Sequence, residues 1–262
     1  MRSLVKIITA ALLFGLAVPA AAQSQAEAAM GAADAAMEAA EAPDDAMSFG
    51  MVDLEPMLSD GCKAGTVDSC WKLGLYYKSQ YDLAAKARTQ FLANCAKKEP
   101  RSCYMLAGMA NQGEGGPRDE GQARLAYGKA CELGLAFACS SQAAMLSSGD
   151  GGKEDKPGAV RAFTRGCELG SASACADAGS MLSVDADAPY HDRTKARAAY
   201  TRSCDLGLAT SCSALAGLMY EYDSGEISDA DRATSQKLYQ KACMSGDSYA
   251  CDTWLNGQLG AS

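Results

Sequence analysis

Twelve cysteines constrain this chain more than any other feature, because all of them occur in pairs whose members stand eight positions apart. The pairs are Cys62/Cys70, Cys95/Cys103, Cys131/Cys139, Cys167/Cys175, Cys204/Cys212 and Cys243/Cys251. Their first members follow one another at intervals of 33, 36, 36, 37 and 39 residues. A period in this range is typical of stacked helical hairpins, in which each unit packs on its neighbours instead of around one central core.

The first fifty residues differ in composition from the repeats and predict two segments outside them. Basic residues precede an apolar run too short to span a bilayer, and a run of alanines then forms a small-residue cleavage site, so residues 1–22 predict a cleaved signal peptide. A retained anchor is the alternative. Residues 23–50 are rich in alanine, carry acidic but no basic side chains, and predict a mobile linker. The repeat domain is expected at 51–262, in the periplasm or secreted.

The charge of the chain limits its possible partners. The formal charge is −8, and it becomes −10 when Arg2 and Lys6 are removed with the signal peptide. Nucleic-acid binding needs a basic face, so we expect no nucleic-acid partner. We also expect no membrane association beyond the signal peptide.

Export determines how the cysteines are interpreted, because an even number of regularly spaced cysteines in an oxidising compartment indicates disulfide bonds. A metal site is a weak alternative, since the chain has one histidine, His191, and no C-x-x-C motif. We expect a solvated loop for His191, solvated connectors at 185–192 and 221–231 in preference to calcium sites, and no cofactor.

Helix-end signals predict which cysteines pair. The first cysteine of each pair closes a helix, because a glycine able to adopt the left-handed conformation follows three residues later in five copies: Gly65, Gly134, Gly170, Gly207 and Gly246. The second lies inside the next helix, which Thr66, Ser171 or Asp247 can cap in three copies. A bond within each pair therefore joins one hairpin to the next. Lys98 replaces the glycine after Cys95, so that turn is expected to differ.

An aromatic residue stands four positions before each closing cysteine in the five complete copies and predicts a packed core. The aromatics are Phe91, Tyr127, Phe163, Tyr200 and Tyr239, and the residues four positions earlier are the small Ala87, Ala123, Ala159, Ala196 and Ser235. Apolar or small residues also follow the second cysteines at +3, +4, +6 and +7, which form one face of an α-helix.

Two glycine-rich loops carry a family resemblance. GEGGPRDEGQA at 113–123 and GDGGKEDKPGA at 149–159, each followed by an aromatic, a cysteine and a glycine, resemble the Sel1-like repeat. The C-x7-C pairs resemble its cysteine-rich secreted subfamily, and the resemblance covers residues 58–262. It implies an all-α, right-handed α/α superhelix that serves as a protein-binding scaffold. Cysteine-rich members are also associated with penicillin binding and weak β-lactam hydrolysis.

A binding groove is predicted on the helix face opposite the core, at positions +1, +2, +5 and +9 after the second cysteine. The +5 residues are mostly small and predict a groove floor that allows close approach, and aromatic or methionine residues at +1 and +2 near the N-terminal end are suitable anchors. The candidate groove residues are Trp71, Leu75, Tyr104, Met105, Gly108, Ala144, Ser180 and Gly217. The alternative is a surface of small residues without a function.

No convincing catalytic set emerges from the sequence. Ser69 and Lys72 satisfy the S-x-x-K pattern of serine penicillin-binding enzymes, but no S-D-N or K-T-G motif accompanies them, so chance composition explains the match. The leading interpretation is a non-catalytic solenoid of five hairpins, with partial units at both ends, that binds a protein or peptide through its concave face. A β-lactam-binding or hydrolysing protein and a structural envelope protein are the alternatives.

Overall fold

The computed structural model describes residues 51–184, 187–220 and 228–259, and α-helices make up most of them. The predicted signal peptide and linker lie outside these residues. Contacts between residues divide the chain into two compact units, the first ending at Glu55 and the second beginning at Pro56. The second unit is described below. Its helices, numbered in chain order from the one that spans the division, are α1 (Met51–Lys63), α2 (Val67–Ser79), α3 (Ala84–Ala96), α4 (Pro100–Gln112), α5 (Glu120–Glu132), α6 (Ala136–Ser148), α7 (Lys156–Glu168), α8 (Ala172–Val184), α9 (Arg193–Asp205), α10 (Ala209–Tyr220), α11 (Asp229–Met244) and α12 (Ser248–Leu259).

These helices form five hairpins: α2/α3, α4/α5, α6/α7, α8/α9 and α10/α11. We call the helix that carries the second cysteine of a pair the first helix of its hairpin, and the other the second helix. Each helix packs mainly on the helices directly before and after it in the chain, and only weakly on the next but one. This pattern confirms the predicted all-α solenoid.

The aromatic residues of the second helices form the core, as predicted. Phe91 is fully buried, and Phe163, Tyr200 and Tyr239 are less than a tenth exposed. Space for the rings comes from small residues on the facing first helix: a Cβ added to Gly74 would lie 2.5 Å from the Phe91 ring. The small residues four positions before the aromatics are completely buried. Tyr127 is the exception among the aromatics, because it is only half-buried.

Each glycine-rich loop connects the two helices of one hairpin and contacts the hairpin before it. A Cβ on Gly115 would collide with the backbone carbonyl oxygen of Ala84 in α3, and a Cβ on Gly151 would collide with that of Glu120 in α5. An arginine fixes each loop from the same helix: Arg88 donates to the carbonyl of Pro117 at 2.8 Å, and Arg124 donates to that of Lys153 at 2.9 Å. Each loop therefore packs on the second helix of the hairpin before it, which only glycine permits at the point of contact.

All six predicted cysteine pairs are bonded in the structure, with Cα atoms 4.4–4.8 Å apart. The bonds are Cys62–Cys70, Cys95–Cys103, Cys131–Cys139, Cys167–Cys175, Cys204–Cys212 and Cys243–Cys251. Each first cysteine lies in the last turns of a helix, and each second cysteine is the fourth residue of the following helix. The bonds therefore join one hairpin to the next, as predicted.

The second cysteines also belong to the buried core, although the sequence predicted them only as links between hairpins. Five of them are at most 3% exposed: Cys70, Cys103, Cys139, Cys175 and Cys212. The reason is the helical period, because a second cysteine lies on the same helix face as the residues three, four and seven positions later, which face the core. These five cysteines are therefore structural residues that no binding partner can reach. Four first cysteines are buried as well, namely Cys95, Cys131, Cys167 and Cys204, whereas Cys62, Cys243 and Cys251 are half-buried.

Two of the three predicted N-caps are present. Ser171 and Asp247 cap their helices by accepting bonds from the backbone N–H groups of Ala174 and Ala250, both at 3.2 Å. The cap expected from Thr66 is wrong, since its side chain makes no capping bond.

The turn at Lys98 does not differ from the others, contrary to the prediction. Lys98 has φ 63°, and the five corresponding glycines have φ between 89° and 96°. The N–H of Glu99 donates to the carbonyl of Asn94 at 3.2 Å, which is the bond that Leu135 makes to Ala130 in the next hairpin. Hydrogen bonds that recur in every copy thus impose the left-handed conformation even on lysine.

Glu99 stabilises this turn further by capping α4. Its carboxylate accepts from the backbone N–H groups of Arg101 and Ser102, and only 5% of the side chain is exposed. Burial raises the pKa of the Glu99 carboxyl, but hydrogen bonds from Arg101 and Ser102 outweigh this effect, and the pKa lies below its ordinary value. The charged cap occupies a position that holds leucine before α6 and α10.

Candidate binding face

The eight predicted groove residues lie on first helices, on the side that we call the first-helix face. This face consists of positions +1, +2 and +5 after the second cysteines of α2, α4, α6, α8 and α10. None of the eight side chains is buried: Leu75, Ala144 and Ser180 are exposed, and the other five are half-buried. The neighbouring +3 and +4 positions face the core, and Leu73, Leu106 and Ala107 there are at most 3% exposed. The helical period therefore directs the +3 and +4 positions into the core, and Trp71, Tyr104 and Met105 on the face also pack partly on it.

Two glycines on the face lie beside tyrosine hydroxyls from the second helices. A Cβ on Gly108 would stand 3.8 Å from the Tyr127 hydroxyl oxygen, and one on Gly217 would stand 3.7 Å from that of Tyr239. These are ordinary van der Waals distances, so both positions have room for a side chain. A tyrosine can place its ring in the core and its hydroxyl toward the surface, and the face gains a polar group next to each glycine.

Trp71, the anchor predicted nearest the N-terminal end, already has partners within the chain. Its ring lies 5.6 Å from that of Phe91 between centroids, and the Arg101 guanidinium lies over it at 4.7 Å. The cation and the second ring occupy surfaces that a bound partner would otherwise contact. Met105 likewise packs partly on the core of the second hairpin. Both residues therefore support the fold and present only part of their surface.

A cluster of three aromatic residues, which we call the N-terminal aromatic cluster, surrounds Tyr104. The Tyr104 ring lies 5.3 Å from Tyr127 and 4.7 Å, edge on, from Phe137. Burial and the neighbouring Tyr104 raise the pKa of Tyr127. Phe137 is 52% exposed and is the most accessible member. It was not predicted from the sequence, because only positions that follow the second cysteine were considered.

At the other end of the face, residues from α8 to α12 line an open cavity of about 670 Å³, which we call the C-terminal cavity. Gly217, Ser213, Tyr239, Asp247 and Tyr249 contribute to its lining. Only Gly217 among them was predicted as a groove residue. Tyr249 stands two positions before Cys251, as Phe137 does before Cys139, so comparing that position across repeats would have identified both.

The cavity corresponds to the place that an aromatic ring fills in the N-terminal aromatic cluster. Tyr104 and Ser213 occupy the same repeat position, directly after the second cysteine, and the residues around them also correspond: Gly108 to Gly217, Tyr127 to Tyr239 and Phe137 to Tyr249. Ser213 has no ring, so the space between the corresponding groups remains open.

Asp247 is the single charged residue among the described residues that line the C-terminal cavity. Its carboxylate is held in place by two hydrogen bonds: the Ser213 hydroxyl donates to Oδ2 at 2.5 Å, and the Ala250 N–H donates to Oδ1 at 3.2 Å. A carboxylate offers about four acceptor positions, so this one retains further capacity after both bonds. The cavity therefore combines a fixed negative charge with tyrosine rings.

The candidate catalytic pair has a different arrangement from the one an acylating site needs. The Lys72 ammonium lies 2.8 Å from the carboxylate of Asp68, and the hydrogen bond from Lys72 lowers the pKa of Asp68. The Ser69 side chain lies against Gly61, where an added Cβ would be 2.5 Å from its hydroxyl oxygen. In the described structure no hydrogen bond joins Ser69 to Lys72, so the amine is not positioned as a base for the hydroxyl.

His191 is less exposed than the prediction of a solvated loop implied. The side chain is half-buried, and its Nδ1 atom is buried without a hydrogen-bond partner among the described residues. The reason is the path of the connector: the N–H of Asp192 donates to the carbonyl of Leu182, which holds the segment against α8. The acidic connectors themselves lie only partly within the described ranges.

Among the described helices, none has both the length and the apolar character needed to cross a membrane.

Comparison with known proteins shows similarity in part of the chain. No family model matches it. A stretch of 88 residues is 40% identical to cytochrome c oxidase assembly factor 7 of Mus musculus and covers 29% of this chain and 38% of the mouse protein. The match therefore spans well under two thirds of that relative.

Two solved structures resemble about three quarters of the chain in fold. One is c5321, a protective antigen of uropathogenic Escherichia coli strains with an SLR fold, with a TM-score of 0.62, 20% identity, and coverage of 76% of this chain and 43% of the antigen. The other is a Sel1 repeat protein from Oxalobacter formigenes, with a TM-score of 0.51, 18% identity, and coverage of 75% and 88% respectively. At these identities the similarity concerns the fold.

Proposed function

We propose that this chain, a right-handed α/α solenoid with the Sel1-like repeat fold, is a non-catalytic scaffold that binds a protein or peptide through the first-helix face. The observation that carries the proposal is the C-terminal cavity on that face, which is open, about 670 Å³ in volume and lined by tyrosines and an oriented carboxylate. Repeat proteins of this kind use an extended surface of stacked helices for binding.

The face offers anchoring sites at two separated places. Phe137 in the N-terminal aromatic cluster and Tyr249 at the C-terminal cavity are 52% and 65% exposed. Aromatic side chains of this type dominate binding energy at protein interfaces, because they bury a large area with few rotatable bonds. Between them lie the small side chains of Ala144 and Ser180, both exposed, which allow a bound segment to approach the helices closely.

The same proposal places the protein in the periplasm or outside the cell. No cysteine of the chain is free, and all twelve form short-range disulfides. Such bonds persist in oxidising compartments and are rare in the cytosol. The signal peptide predicted at residues 1–22 is consistent with this location. β-Lactam hydrolysis is not part of the proposal, because no S-D-N or K-T-G motif accompanies Ser69 and Lys72.

The test is to block the face and measure binding of a partner. The partner is first captured from the native cell envelope with the oxidised chain as bait, and its affinity is then measured with purified components. Replacing Gly108 and Gly217 together by leucine should reduce affinity at least ~10-fold, equivalent to about 1.4 kcal/mol, because the new side chains project into the face. Helix propensity favours leucine over glycine, so the fold should be preserved.

A matched control separates this effect from a general one. Ala93 and Ala233 are exposed residues on second helices, and replacing both by leucine adds similar bulk away from the face. The control variant should bind like the wild type. Equal affinity of the folded Gly108→Leu/Gly217→Leu variant and the wild type would contradict binding through the first-helix face.

A further inference from the structure

We infer that the C-terminal cavity receives a basic side chain, lysine or arginine, from the bound protein or peptide. This inference rests on the proposed function and adds the chemistry of one contact to it. Asp247 supplies the charge complementarity, because no basic residue is present among the described residues that line the cavity. An ammonium or guanidinium group that enters can therefore form a charge-assisted hydrogen bond with a carboxylate that has no cationic partner there.

The carboxylate is positioned before any ligand arrives. The Ser213 hydroxyl and the Ala250 N–H each bond one of its oxygens, and Asp247 directly precedes α12, so both its side chain and its backbone are held. Little conformational entropy is lost when such a group binds a cation, because its orientation is already restricted. The hydrogen bonds leave acceptor positions unused on both oxygens.

The tyrosines add a second attraction for a cation. Tyr200, Tyr239 and Tyr249 all line the cavity, and Tyr249 at its rim is 65% exposed. Faces of aromatic rings attract ammonium and guanidinium groups, and this attraction increases where water is partly excluded. The aliphatic part of a lysine or arginine side chain can also pack on Leu218, which lines the same cavity.

The corresponding place in the N-terminal aromatic cluster lacks this carboxylate. Leu135 stands at the repeat position of Asp247. A cation there would therefore find no acidic group at the position that Asp247 occupies at the C-terminal end. The two ends of the face therefore differ in the side chains that they accept, and the basic residue of a partner is directed to the C-terminal end.

The experiment uses two test peptides that differ only in charge: acetyl-Gly-Lys-Gly-amide and its norleucine counterpart. Binding to the oxidised chain is followed by NMR, through the ring signals of Tyr239 and Tyr249. The lysine peptide should bind at least ~10-fold more tightly than the norleucine peptide, and its binding should weaken when salt rises from low to high concentration.

Two variants locate the site, and one serves as a control. Asp247→Asn keeps the shape and an N-cap acceptor but removes the charge, and it should abolish the preference for lysine. Asp205→Asn removes an equal charge from an exposed pair with Lys241 on the second helices, and it should leave the preference intact. Ser213→Tyr introduces the ring that Tyr104 places at the corresponding position, and it should close the cavity to the lysine peptide.

Equal binding of the two peptides, equal loss in Asp247→Asn and Asp205→Asn, or unchanged lysine binding in a folded Ser213→Tyr variant would each overturn the inference. Its failure can be distinguished from failure of the proposed function. If Asp247→Asn has no effect on the lysine peptide while Gly108→Leu/Gly217→Leu weakens the natural partner, the face is correct and the basic contact is not.

Discussion

Single residues at helix ends determine how one hairpin continues into the next. Five of the six turns use glycine with φ between 89° and 96°, and the sixth uses Lys98 with φ 63°. A left-handed conformation costs a residue with a Cβ roughly 1–2 kcal/mol, whereas glycine adopts it freely. Lys98 is exposed, so no packing of its side chain offsets that cost. The capping bonds of Glu99 lie directly beside it and stabilise the same turn.

Replacing Lys98 by glycine should therefore stabilise the protein. The expected gain in free energy of unfolding is about 0.5–1 kcal/mol, because relief of the left-handed strain exceeds the greater entropy of glycine in the unfolded chain. Thermal or denaturant unfolding monitored by circular dichroism measures the change.

The opposite substitution in the corresponding turn is the control. Gly134 has φ 95°, and no atom lies within 4 Å of a Cβ added there, so Gly134→Ala tests the backbone conformation alone. It should destabilise by about 1 kcal/mol. Destabilisation by Lys98→Gly would show that the lysine side chain contributes a contact that outweighs its strain.

At the scale of helices, the disulfides join elements that follow one another directly in the chain. Each bond connects the last turns of one helix to the fourth residue of the next. Closing so short a loop in the unfolded chain is worth about 2–3 kcal/mol per bond on the chain-entropy estimate. Because each helix packs mainly on its neighbours in the chain, the stabilisation remains local.

Breaking one central disulfide should therefore loosen a limited region. Replacing Cys131 and Cys139 by serine should reduce hydrogen-exchange protection mainly within residues 119–148, which contain α5 and α6. Hydrogen exchange read by mass spectrometry measures this loss. The same change at Cys243 and Cys251 serves as the control, and its effect should centre on α11 and α12. Loss of protection spread evenly over the chain would instead indicate one fully cooperative core.

The whole repeat region is connected by polar contacts that span about one repeat. Lys78 bonds Glu114 at 2.8 Å, the Ser203 hydroxyl donates to the carbonyl of Ala172 at 2.7 Å, and the Ser213 hydroxyl donates to Asp247. The first joins two hairpins and the third joins the last hairpin to the N-cap of α12, whereas the second lies within the α8/α9 hairpin. The six disulfides add to the stability that the core packing supplies.

Reduction should accordingly unfold the protein or lower its stability severely. Six bonds at about 2–3 kcal/mol each total on the order of 12–18 kcal/mol, which equals or exceeds the free energy of unfolding of most domains. Circular dichroism with and without dithiothreitol should show a large loss of helix or a much lower midpoint of thermal unfolding. An alkylated, fully reduced chain with the wild-type midpoint would contradict this expectation.

The sequence by itself determined the features that repeat. Cysteine spacing predicted the hairpin period and the six bonded pairs, because both depend on where a helix ends and the next begins, which is local information. The aromatic four residues before each closing cysteine predicted the core for the same reason, since helical period alone directs it inward. The conformation of the turn at Lys98 was not predicted, because it follows from backbone hydrogen bonds that recur in every turn and not from the propensity of one residue.

Only the tertiary structure decided what the first-helix face contains. Sequence spacing predicted Trp71 as a binding anchor, but its ring contacts Phe91 and Arg101 within the chain. Spacing also suggested Lys72 as a possible base, but its ammonium forms an ion pair with Asp68. The C-terminal cavity arises where Ser213, Asp247 and Tyr249 come together from segments more than thirty residues apart. A cavity is the space left by side chains from different repeats, so its existence depends on their packing and not on the period of any one helix.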